Sequence, residues 1–162
     1  MSQVFKRRLA RERVLQILYA CEMEGNSLND LVQNVLIDLS NEADKKFSQE
    51  LIQKVTLNKK IFDEMISKRV ANWEMNRIAL IDKILLRMAI CELLYFEDIP
   101  PKVSINEAIE IAKIYSTSAS GKFINGILDA ILNELKETGK LHKSGRGLVE
   151  DSTTKFDKKK QI

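Results

Sequence analysis

The run from Arg77 to Phe96, apolar on almost every side, most constrains what this chain can fold into. At helical spacing Ile78, Ile81, Leu85 and Met88 point one way, and Ile84, Ala89, Ile90 and Leu93 widen that face considerably. A helix of this kind has to be surrounded by other helices, which predicts an all-α fold with this element at its centre. Asp82, Lys83, Arg87 and Glu92 interrupt the run, and a bilayer would not accept four such charges cheaply. The element is therefore read as a buried core helix and not as a membrane span. Ile99-Pro100-Pro101 stops it, because proline lacks the N–H and disfavours helix in the residue before it.

The rest of the 162 residues arranges itself around that helix. Six glycines, two prolines and 30% charged residues suit one packed helical domain over residues 1–139. A first helix carries Ala10, Val14, Ile17, Leu18 and Cys21 as its buried stripe. A second follows Gly25-Asn26-Ser27 with Leu28, Leu31, Val35 and Leu39, and a long third runs from about Phe47 to Ala71. The boundary between an N-terminal bundle (about 6–71) and a C-terminal bundle (about 76–138) falls at Asn72 to Asn76, with Trp73 plugging the junction. Beyond the prolines, Ser104 and Glu107 form an S-x-x-E capping box that predicts a helix start. That helix carries Ile105, Ala108, Ile109, Ala112 and Tyr115. Ser116 to Gly121 reads as a polar loop, and a last helix with Ile124, Ile127, Leu128, Ile131 and Leu132 fades at Thr138-Gly139. From Lys140 to Ile162 the composition turns polar and basic, and the segment reads as a disordered tail whose Lys158, Lys159 and Lys160 attract phosphate weakly.

Charge placement points to a binding surface. Lys6, Arg7, Arg8, Arg11 and Arg13 load the N-terminal end of the first helix, where the macrodipole favours acidic groups, so helix energetics do not explain them. Beside the buried stripe runs a mixed one of Arg8, Arg11, Leu15, Tyr19 and Glu22. It reads either as an interface or as solvated arginines with Leu15 and Tyr19 packed on a neighbouring helix. Lys122 and Asn125 fall in the first turn of the last helix, where free backbone N–H groups can meet an anion. Phe123 is either a stacking plane or core, and Gly126 serves either close packing or the site. Cations, an aromatic plane and an amide are what single-stranded RNA recognition uses.

Catalytic material is scarce. The one histidine, His142, lies in the tail, and no Walker loop, G-x-G-x-x-G, C-x-x-C or H-E-x-x-H is present. Glu107 is spent on capping and Glu110 on solvent. Cys21 and Cys91 sit on apolar helix faces as buried free thiols. The net charge of +3 is too mild to name a partner by itself. The chain is expected to be a non-enzyme without cofactor or metal, cytoplasmic, and away from membranes.

Four blocks carry a recognisable pattern: R-x-x-A-R-E before an apolar helix ending in L-Y (Arg7 to Tyr19), L-R-M-A-I-C-E-L (Leu86 to Leu93), P-x-K-V-S-I-N-E-A-I-E-I-A-K (Pro100 to Lys113), and K-F-I-N-G-I-L-D (Lys122 to Asp129). Over roughly residues 6–135 the chain resembles the NusB family of bacterial transcription antitermination factors. The resemblance implies an all-α fold of two perpendicular bundles sharing a core, about six to seven helices. It also implies pairing with the ribosomal protein NusE, binding to boxA-type single-stranded RNA in nascent ribosomal RNA transcripts, and action within the RNA polymerase antitermination complex. It implies RNA contacts at Arg7, Arg8, Arg11, Lys122, Phe123 and Asn125, to which the charge cluster adds Lys6, and partner contacts at Tyr19, Glu22, Asp82 and Arg87, to which the mixed stripe adds Leu15. A homodimer of the free protein is a further expectation, since Leu15 and Tyr19 would otherwise be exposed. Leu9 stands where family members often carry another arginine, and Ala119 where an acidic residue is common. The same helical module also occurs in some cytosine-5 RNA methyltransferases, which need a following α/β domain with a catalytic cysteine that is not expected here. A helical adaptor that binds only protein is a third reading.

Overall fold

The computed structural model describes the backbone of residues 3–25 and 27–149 and the side chains of 6–25, 27–71 and 74–149. The expectations for the Trp73 side chain and for residues 150–162, Lys158 to Lys160 included, lie outside the described residues. Within them the chain is all-helical. It contains α1 (Gln3–Glu24), α2 (Leu28–Leu36), α3 (Glu42–Ser67), the one-turn α4 (Asn72–Met75), α5 (Leu80–Tyr95), α6 (Pro101–Tyr115), α7 (Ser118–Glu137) and a 3-10 turn at Gly145–Leu148.

The apolar run does become the centre. Every residue of α5 from Ile84 to Leu93 is buried, and α5 packs on α1, α3, α6 and α7. On one side α1 joins α2 and α3 through Ile17, Leu51, Ile52, Phe62 and Ile66. On the other α6 and α7 pair through Ile105, Ile111, Ile124, Leu128 and Ile131. Among the described residues no helix is long and apolar enough to cross a membrane.

Several helix starts differ from the sequence expectation, α1 at Gln3 and α5 at Leu80 among them, and three have a clear local reason. α3 begins at Glu42, five residues early, because the Asn41 side chain accepts the Ala43 N–H at 2.8 Å and caps the helix there. α6 begins at Pro101, so Ser104 and Glu107 are not a capping box: proline at the first helical position needs no N–H partner and already has a helical φ. Both side chains are buried and make long-range bonds instead. α7 begins at Ser118, so only Ser116 and Thr117 separate it from α6. Lys122 and Asn125 therefore lie beyond the first turn, away from its free N–H groups.

The glycines divide accordingly. Gly121 is buried where a Cβ would meet Ile109 Cγ2 at 3.4 Å, so it serves the close approach of α7 to α6. Gly126 is exposed with open space around it, which removes the packing explanation offered for it.

The expected disorder from Lys140 does not begin there. Gly139, with φ 68°, ends α7 in a Schellman arrangement: its N–H reaches Lys136 O, and the Lys140 N–H reaches Leu135 O at 2.9 Å. Residues 140–149 then cross the end of α5. The Ser144 N–H bonds Glu97 O at 3.0 Å, and the Lys143 ammonium donates to Glu92 O and Phe96 O at 3.0 and 2.7 Å. His142 is exposed on this segment.

Candidate RNA and partner surface

The arginine-rich start of α1 separates into three environments. Arg11 is only 4% exposed, and its guanidinium donates twice to Glu92, at 2.9 and 2.7 Å; Ser104 Oγ donates to the same carboxylate at 2.9 Å. Desolvation works against the charge, but Glu92 outweighs it and holds Arg11 above the ordinary arginine value. Arg11 is thus an internal tie between α1 and α5, and its expected place on an RNA-facing surface is not what the fold gives it. Arg8 is half-buried and donates to both oxygens of Glu107, at 2.8 and 3.0 Å, binding α1 to α6. Arg7 donates to Asp44 at 2.8 Å and lies 4.3 Å above the Phe47 ring, binding α1 to α3. Lys6 is exposed.

α6 links the two proposed RNA segments. Arg8 meets Glu107 and Gln16 meets Tyr115, so α1 runs parallel to α6 along one of its edges. α7 runs antiparallel along the other edge, with Gly121 against Ile109 and Asp129 paired to Lys102. On a helix advancing about 100° per residue, Val103, Asn106, Glu110, Lys113 and Ile114 fill the outer arc between those edges, and none of them is buried. Asn125 stands one turn from both Gly121 and Asp129, so it faces the α6 side, with exposed Lys122 next to it. Arg8 and Lys122 therefore flank the same stretch of α6, at residues 107–109. Lys113 and Asn106 on the outer arc are absent from the sequence reading. The signal was available, because they are the polar complement of the apolar stripe that was read.

Phe123 departs from this group. It is half-buried on the opposite edge of α7, where it lines a cavity of about 380 Å³ with Glu74, Arg77, Ile78, Asp82, Thr117 and Ser120. The hydroxyls of this corner have a fixed order. Ser120 Oγ donates its one proton to Asp82 Oδ2 at 2.8 Å, so Ser116 and Thr117, at 2.9 and 3.1 Å, must both donate to Ser120. Asp82 Oδ1 is buried without a hydrogen-bond partner among the described residues.

The expected partner residues are also divided. Leu15 is 2% exposed and belongs to the core, so the homodimer argument built on its exposure falls; Tyr19, 37% exposed, remains at the surface. Arg87 is buried, donating to both Asp63 oxygens at 2.6 and 3.0 Å and to Glu22 at 2.7 Å, while Lys59 also reaches Glu22 at 2.8 Å. Burial alone would raise the Glu22 carboxyl, but Lys59 and Arg87 hold it below the usual carboxylate range. This network ties α1, α3 and α5. Asp82, five residues before Arg87 on α5, faces α7 instead. Burial pushes the Cys91 thiol far up, and Cys21 is half-buried and also raised by desolvation.

The NusB family model matches residues 8–133. The chain belongs to the NusB family. A transcription antitermination protein NusB of Salinibacter ruber is 48% identical over 145 residues, covering 88% of this chain and 91% of the relative. The one of Chloroherpeton thalassium is 49% identical over 149 residues, covering 91% and 71%. In structure the chain is similar to T. maritima NusB, with a TM-score of 0.74 at 38% identity over 83% of this chain and 97% of the other. It is also similar to a chain in the crystal structure of antitermination factors NusB and NusE in complex with dsRNA. There the TM-score is 0.72 at 22% identity over 80% and 97%, a likeness of fold alone. All-α architecture is thus the NusB fold, and most of α1 through most of α7 lie inside the family match. Lys6 and Arg7 precede it, and the segment 140–149 follows it.

Proposed function

We propose that this chain is a non-catalytic transcription antitermination factor of the bacterial cytoplasm. It pairs with NusE and binds boxA-type RNA in nascent ribosomal RNA transcripts, helping RNA polymerase to read through. Family membership and the names of the relatives support the class of function. The observation that carries the RNA surface is the flanking of one stretch of α6 by Arg8 and Lys122. Lys6, Arg8, Asn106, Lys113, Lys122 and Asn125 then form a band in which cations meet phosphates and amides meet base edges. Arg11 acts behind this band by fixing α1. Tyr19 is the accessible anchor for the protein partner.

The test is binding of a boxA-like single strand and of the matching duplex at two salt concentrations, with and without NusE. The reading expects retention of the single strand, tightened by NusE and weakened by salt. Each lost phosphate contact flattens the salt slope by roughly one unit. Lack of RNA binding in the presence of NusE, with NusE itself bound, would leave a protein-only adaptor.

A further inference from the structure

We propose that residues 140–149 are a strap whose Lys143 positions the RNA-facing start of α1, acting through the last turn of α5. The inference rests on the reading that the start of α1 meets RNA.

The strap is built rather than merely adjacent. Lys143 is half-buried, and its ammonium donates to the carbonyls of Glu92 and Phe96 at the end of α5, adding to the Phe96 and Ile99 N–H groups that these oxygens already accept. Positive charge at a helix C-terminus also suits the macrodipole. Ser144 N–H holds Glu97 O, and Gly147 packs so closely there that a Cβ would lie 1.8 Å from the same carbonyl. Only glycine can occupy that place without moving the strap.

The two residues whose carbonyls Lys143 holds are the ones α1 leans on. The Glu92 carboxylate clamps Arg11. The Phe96 ring meets Phe47 edge-on with centroids 5.4 Å apart, and Phe47 carries Arg7 at 4.3 Å and Arg11 at 5.2 Å. Two of the supports of the first turns of α1, beside the Arg7–Asp44 and Arg8–Glu107 pairs, therefore stand on the turn of α5 that the strap caps. This segment follows residue 133, where the family match ends. Lys143 is a positioning residue: its ammonium is turned inward onto carbonyls.

The experiment compares the full-length chain with Lys143→Met, Lys143→Arg and Gly147→Ala, using a boxA-like RNA in the presence of NusE. Lys143→Met and Gly147→Ala are expected to weaken RNA binding roughly three- to ten-fold. The salt slope and NusE affinity should stay unchanged, and Lys143→Arg should bind as wild type. Amide exchange over Arg7 to Arg11 should speed up in the two weakened variants. RNA affinity unchanged in Lys143→Met overturns the inference alone. So does a slope lowered by about one unit, which means direct phosphate contact. A parallel loss of RNA and NusE binding with a fallen Tm overturns it too, since that is general destabilisation. A wild-type chain that binds NusE but no RNA overturns the proposed function together with it.

Discussion

At the scale of single residues, arginines adjacent in sequence do different work according to partners far along the chain. Arg8 and Arg11 are one turn apart in one motif, yet one joins Glu107 and the other Glu92. The cluster was legible in the sequence; its division was not, because the deciding carboxylates lie 99 and 81 residues away. Leu15 shows the same limit: its phase placed it at the edge of the stripe, and only the packing of α5 and α6 decides that it is covered. Replacing Arg11 by Met leaves Glu92 charged and buried, which costs about 3–5 kcal/mol. Urea unfolding should show it as a lower midpoint with unchanged m, and Arg11→Met combined with Glu92→Leu should recover more than half. Glu22 makes a pH-dependent contribution. Its folded pKa lies below the ordinary 4.5, so its stabilisation is complete above that value and is lost as pH falls through the lower folded one. Glu22→Gln should therefore be less stable at neutral pH, and its stability should fall less steeply on acidification, as followed by thermal melts across a pH series.

At the scale of elements, periodicity located the helices and misjudged several starts. The all-α class, the central α5 and the stop at Pro100-Pro101 follow from patterning and proline chemistry alone. The start of α6 did not follow, because Ser104 and Glu107 satisfy the capping pattern while a stronger signal, Pro101, lies three residues earlier. The segment after α7 was misread for a different reason. Its hold on the fold comes from one lysine, two backbone approaches and the single apolar Leu141, which together make no apolar stripe. Gly126 gives a clean test of element energetics. It lies inside α7 without a left-handed φ and with nothing near a would-be Cβ. Gly126→Ala should stabilise the protein by about 0.5–1 kcal/mol through helix propensity and chain entropy, visible as a raised Tm.

At the scale of the whole molecule, α6 is the member that makes distant sequence segments into neighbours. The blocks at Arg7–Arg11 and Lys122–Asn125 were legible as candidate RNA contacts, and the fold sets them on opposite edges of one helix. What the sequence did not reveal is that Phe123 turns away from Lys122 and Asn125, toward the cavity beside Asp82. Nor did it reveal that the outer arc of α6 bridges the gap. If one RNA strand crosses that arc, Lys113 in its middle must lie under the strand. The most direct measurement is the salt dependence of boxA-like RNA binding, with NusE present, for Arg8→Ala, Lys113→Ala and Lys122→Ala. A single RNA-binding band predicts a slope flattened by roughly one unit for Lys113→Ala and Lys122→Ala, with weaker binding for all three. A flattened slope for Lys122→Ala beside wild-type binding for Lys113→Ala and Arg8→Ala would contradict it.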